Sequence, residues 1–186
     1  TAKTGRWMPG PGKPLFDALK AALGQLPLVA EDLGDITADV NALRDTLDLP
    51  GMAILQFAFA PEPRSEFVPY AHRKNQVVYT GTHDNNTVRG WWDDEATPEV
   101  KEYLAQYLGH EPREIHTEIV RMAYASRAFL AMVPHQDLVG LGASARMNTP
   151  GEEDGHWSFR LHPDMASDAL ARWLEKQAWI YGRKPG

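Results

Sequence analysis

The feature that most constrains this chain is a repeated alternation of short apolar runs, each closed by polar residues, with stretches of helical spacing. LPLVA (26–30), MAILQFAFA (52–60) and QVVYT (76–80) are apolar on both faces, the pattern of strands buried within a parallel sheet. Between and around them, Leu15, Phe16, Leu19, Ala22 and Leu23 recur at helical spacing, with Gly24 as a stop. Thr37 is placed to cap TADVNALRDTLDL, which Pro50-Gly51 ends. Two or more helices are predicted across 97–132, a fourth strand in PHQDLVGLG (134–142), a Gly-rich aromatic loop in ARMNTPGEEDGHWSFR, and a last helix around 166–180. This order predicts an α/β fold, a parallel sheet with helices packed outside it. A closed eight-stranded barrel takes about 250 residues, so four β/α units make half of one; an open sheet fits the same pattern.

Composition excludes several classes. With 186 residues the chain can bury a sizeable core, and its 43% hydrophobic and 24% charged residues are those of a soluble globular protein. It has no cysteine, which removes disulfides, thiolate metal sites and cysteine nucleophiles and fits a reducing, cytoplasmic setting. A net charge of -6 with scattered Lys and Arg offers no basic stripe for nucleic acid, and no apolar stretch is long enough to span a membrane. The opening TAKTGRWMPGPGK has no apolar region behind its basic residues, unlike a signal peptide, and reads as a fragment boundary, with 1–14 an opening loop to one partial domain over 1–186.

The polar residues fall where such folds bind ligands. Glu31, Asp32, His83, Asp84 and Asn85 all stand at the C-terminal ends of predicted strands. A carboxyl at the mouth of an apolar strand is partly desolvated, which favours the protonated form a general acid uses. One of the Glu31–Asp32 pair capping a turn while the other meets a basic residue is the alternative. GTHDNN crowds donors and acceptors more densely than a turn requires, a set that suits a polyol. A metal site is the rival for His83 and Asp84, but no ligand spacing such as HExxH accompanies them, so neither metal nor cofactor is called for. Paired carboxyls are what glycosidic bond chemistry needs, one protonating the leaving oxygen and one acting at the anomeric carbon.

VAEDLG, LPGMAILQFAF, VVYTGTHDNNT followed by GWW, ARMNTPG with GHWSFR, and the opening GRWMPGPGKPLF resemble, in order from residue 2 to about 162, the 4-α-glucanotransferases of the amylomaltase (disproportionating enzyme) family. The resemblance implies a (β/α)8 barrel related to the α-amylases, acting on α-1,4-glucans and maltooligosaccharides by double displacement. It implies that Glu31 is the acid/base, that Asp84 stabilises the oxocarbenium-like transition state, and that His83 hydrogen-bonds the sugar beside the cleaved bond. Asn148 and Asp32 look like further substrate contacts; Phe57 looks like an aromatic contact with an acceptor sugar, core packing being its other reading.

In that family the attacking aspartate ends the strand before the GRW segment, and here the chain begins after that point; Asp17, Asp35 and Asp39 are not placed to replace it. The isolated chain is therefore expected to lack the covalent step, and a half-barrel is expected to need its N-terminal half or a second copy. A non-catalytic glucan-binding or assembly half-barrel and an α-amylase-type hydrolase are the alternatives. Trp91 and Trp92 suit either a sugar groove or packing, Trp173 and Trp179 a core or interface, and Glu152–Asp154 a solvated loop.

Overall fold

Pro14 near its start and Gly24 (φ 79°) past its end frame the first helix, α1 (Lys13–Leu23). The computed structural model that shows it describes residues 4–6, 8–34, 36–59 and 66–183. These fall into two units, Thr1–Met52 and Ala53–Gly186. The first unit holds α1 and α2 (Ala38–Thr46). Thr37 takes the N-cap position, but its hydroxyl donates to the Asp39 carboxylate rather than accepting from a helix amide.

The run 26–30 is not the buried strand its composition predicts. It is extended without a ladder, and Leu28 and Val29 are exposed. Pro27 has no N–H to give, Leu28 N turns back to Leu26 O at 3.0 Å, and Ala30 N donates to Pro50 O at 2.8 Å. An apolar run becomes a strand only when a neighbour supplies a ladder.

Strand β1 (Gly51–Ile54) is wholly buried, and a tight turn over Leu55–Phe57 ends it earlier than the run 52–60 predicts. Its last residues, Ala53 and Ile54, enter the second unit. There β2 (Gln76–Tyr79) follows, then a short helix, α3 (Val88–Gly90), that widens into a π-turn over Trp91–Glu95. Helices α4 (Pro98–Leu108) and α5 (Ile115–Ala125) come next.

The predicted helical stretch across 97–132 ends at Ala125, and residues Leu130–Met132 form strand β3 instead. Ser126 breaks the helix: its backbone is extended, and its Oγ accepts from Ala128 N at 3.1 Å and bonds His72 Nδ1 at 2.6 Å. PHQDLVGLG, expected as a strand, is not one either. The amides of Asp137 and Leu138 both turn back to Pro134 O, making the short helix α6 (His135–Leu138). The last helix, α7 (Asp168–Ile180), lies where it is predicted and is capped by Ser167.

The described residues thus give a three-stranded sheet in the order β1-β2-β3 rather than four predicted strands. β2 and β3 run parallel, with Val77 opposite Leu130, Val78 opposite Ala131 and Tyr79 opposite Met132. The core of this unit joins Leu55, Phe59 and Val78 to Trp91, Leu104, Ile115 and Ile119, so sheet and helices close on one apolar layer. The fold is α/β with a parallel sheet, as the alternation predicts.

Candidate active site

In the second unit the strand β2 ends at Tyr79, and residues 81–87 lead from it to α3 as a loop that carries Thr82, His83, Asp84, Asn85 and Asn86. The loop is built from within. Asn85 Oδ1 accepts from both Thr82 N (2.8 Å) and Thr82 Oγ1 (2.9 Å), closing the turn that exposes His83 and Asp84. Gln56 Nε2 donates to Asn86 O at 2.9 Å from below. Gly81 makes room for that contact, since a Cβ there would lie 2.5 Å from Gln56 Nε2.

The outer side of the loop is held by the Gly-rich aromatic segment. Asn148 Nδ2 donates to Asp84 Oδ1 at 2.5 Å, and Arg146 Nη2 donates to Asp84 O at 2.8 Å. Arg146 is itself fixed by bonding Asn148 O (2.8 Å) and the Glu95 carboxylate (3.2 Å), which also takes Asn86 Nδ2 at 2.8 Å. Glu95 closes the π-turn, a local widening of the helix that often marks functional sites. His83 Nε2 lies 3.4 Å from Asp84 Oδ1, and its ring stands 5.2 Å from that of Trp157. Trp157 is an exposed tryptophan held at φ 56°, a strained backbone for that side chain, with its amide on Met147 O at 2.7 Å.

Three predicted residues, His83, Asp84 and Asn148, are therefore brought together, Asp84 with about half its side chain open to solvent. Phe57 is exposed, edge-on to Phe67 at 5.7 Å, and is not a core residue. Trp91 is buried in the core with Trp92 against it, and Trp179 is exposed. Arg146, Glu95, Trp157 and Gln56 were not singled out from sequence; Arg146 stands inside the same ARMN segment as Asn148.

The first unit presents Glu31 exposed, directly after the extended run. Asp32 beside it is nearly enclosed: Oδ2 meets Arg44 Nη1 at 2.5 Å and Oδ1 accepts from Met52 N at 2.7 Å. Of the two sequence readings for the pair, an acid facing a basic partner is what Asp32 does here.

A further carboxyl was not foreseen. Asp137 on α6 is 1% exposed, accepting from Thr80 Oγ1 at 2.5 Å and from Val88 N at 2.7 Å. Burial pushes it up to about 6, against those two bonds, which favour the carboxylate. A folded-state value above the unfolded one near 4 means the folded chain holds this proton more tightly, so the contribution is full in acid and lost as pH rises through about 4 to 6. Asp137→Asn cannot ionise. Its stability relative to the unsubstituted chain should therefore improve between pH 4 and pH 7 by about 2 kcal/mol in urea denaturation; a difference that ignores pH would count against this.

Comparison with known proteins agrees with the motifs. The profile of a family described as 4-alpha-glucanotransferase matches residues 1–166. The chloroplastic/amyloplastic 4-alpha-glucanotransferase of Solanum tuberosum is 47% identical over 184 residues, covering 96% of this chain and 32% of its own. The 4-alpha-glucanotransferase of Thermus thermophilus is 44% identical over 171 residues, 88% of this chain and 34% of its own. The amylomaltase from Streptococcus agalactiae, solved in complex with acarbose, superposes with a TM-score of 0.92 at 33% identity, covering 99% of this chain and 37% of that one. The chain belongs to the 4-alpha-glucanotransferase family. It spans about a third of the length of the curated relatives it matches.

Proposed function

We propose that the protein carrying this chain is a cytoplasmic 4-α-glucanotransferase that moves α-1,4-glucan segments between maltooligosaccharides by a retaining double displacement. The observation that carries this is the Asp84 cluster: a half-open carboxylate oriented by Asn148 and Arg146, beside His83, in a chain of this family. Asp84 is the carboxylate that stabilises positive charge developing at the anomeric carbon. His83 and Asn148 contact the sugar and hold Asp84; Phe57 offers an exposed ring to an acceptor sugar. Glu31 gives its proton to the departing glycosidic oxygen and takes one back from the acceptor hydroxyl. The attacking carboxylate comes from the sequence N-terminal to this segment, as the resemblance implies. The amylomaltase bound to acarbose supports an oligosaccharide as ligand, and family membership favours transfer over α-amylase-type hydrolysis.

We read 1–186 as a single partial catalytic domain, the C-terminal half of a (β/α)8 barrel. β3 is an edge of the sheet, with Leu130 40% and Met132 45% exposed, and open edges invite pairing. That edge is where the remaining strands, or a second copy, would join.

Maltotriose tests both parts. The protein at the length of its relatives is expected to convert it to glucose and longer maltooligosaccharides, resolved by chromatography, while residues 1–186 alone give neither. Release of glucose with no longer products would sink transfer in favour of hydrolysis.

A further inference from the structure

The two ends of the loop that bears His83 and Asp84 are tied to one side chain. Thr80 immediately precedes residues 81–87 and Val88 immediately follows them, and both donate to Asp137, one to each carboxyl oxygen. Asp137 sits on α6, just past β3, and neither element belongs to the loop. At 1% exposure it cannot reach a sugar, and its hydroxyl and amide partners are themselves buried. Side chains that act on a substrate must be held to a fraction of an ångström, which usually requires a buried support whose own bonds are satisfied. The other supports of this loop act elsewhere: Gln56 on Asn86 O, Arg146 on Asp84 O. Among the bonds named here, those of Asp137 are the ones that join the strand end to the helix start.

We infer that Asp137 is a positioning residue for the reaction: by bonding Thr80 and Val88 together it fixes the span of the 81–87 loop and so where His83 and Asp84 stand. The inference rests on the reading of Asp84 given above and deepens it. An asparagine would keep the arrangement, its Oδ1 accepting from Val88 N and its Nδ2 donating to Thr80 Oγ1. Alanine leaves both groups buried and unbonded, free to shift the loop.

The test uses the protein at the length of its relatives, with kcat and KM for maltotriose transfer measured per folded molecule. Asp137→Ala is expected to lower kcat roughly 10- to 100-fold, the effect of a misplacement near 1 Å, with KM changed far less. Asp137→Asn is expected to restore kcat to within about threefold of the unsubstituted protein. Should the alanine variant fail to fold, Thr80→Val removes one of the two bonds and is expected to cost kcat about three- to tenfold, the worth of one hydrogen bond. A folded Asp137→Ala or Thr80→Val protein with unchanged kcat overturns the inference, as does an asparagine variant as slow as the alanine one. Asp84→Asn run alongside separates the two readings. If it is inactive while folded Asp137→Ala is normal, only the positioning role falls; if it is active, the reading of the site falls and takes this inference with it.

Discussion

Glu31→Gln and Asp84→Asn, each made in the protein at the length of its relatives, are expected to lower the rate of maltotriose transfer by about 10² to 10⁴-fold. The two losses have different causes, and a change of substrate tells them apart. Glutamine at 31 keeps the size of the side chain but has no proton to give a departing sugar oxygen. A maltosyl fluoride needs none, because fluoride leaves unprotonated, so the first step should recover in Glu31→Gln and a burst of fluoride should appear. Asparagine at 84 still accepts from Asn148 through Oδ1 and leaves the Arg146 bond to the backbone of residue 84 in place. What it removes is the negative charge that, in the role proposed for Asp84, faces the developing oxocarbenium ion whatever the leaving group. Asp84→Asn should therefore stay slow with the fluoride. Recovery of both variants, or of neither, would show that the two roles are wrongly assigned.

What the sequence disclosed and what it hid divide along physical lines. Asp84, His83 and Asn148 were legible because their motifs are local: a strand, a tight polar turn, and a loop of fixed composition. The helices α1, α2, α4 and α7 were legible for the same reason, since apolar spacing and Gly or Pro stops act within a few residues. Asp137 was hidden because its partners lie 57 and 49 residues away, at Thr80 and Val88. The clue was an acid inside the apolar PHQDLVGLG, since a carboxyl so enclosed needs bonded partners. β3 was hidden because LAM reads as a continuation of α5, and only Ser126 and the open flank of β2 make it a strand. In the opposite sense LPLVA had the composition of a buried strand, and burial did not follow because composition cannot supply a neighbour. Arg146 and Glu95 meet across 51 residues, so their ion pair had no local signature.

Breaking the enclosure of Asp32 is expected to cost the first unit stability. Its side chain is 8% exposed and that of Arg44 10%, and they meet at 2.5 Å. The other oxygen takes the Met52 amide at 2.7 Å. Gly51 allows the carboxyl to lie there, because a Cβ on it would come 2.8 Å from Asp32 Cγ and 2.9 Å from Oδ1. Removing one member of a fully buried pair costs roughly 3 to 5 kcal/mol; here Arg44 keeps a second partner in the exposed Asp45, whose Oδ1 it meets at 2.8 Å, so the loss should fall at or below the low end of that range. Asp32→Ala and Arg44→Ala should each lose stability in urea denaturation, and the double variant should cost less than the sum of the two, because the side chains are in contact. Gly51→Ala should lose stability too, by displacing the same carboxyl. The outcome also decides what Asp32 is for. A carboxylate whose task is to bind sugar would raise KM when removed and leave the fold intact. One that anchors the segment bearing Glu31 would lower stability and kcat together, and Gly51→Ala, which leaves Asp32 and its charge in the chain, would do the same.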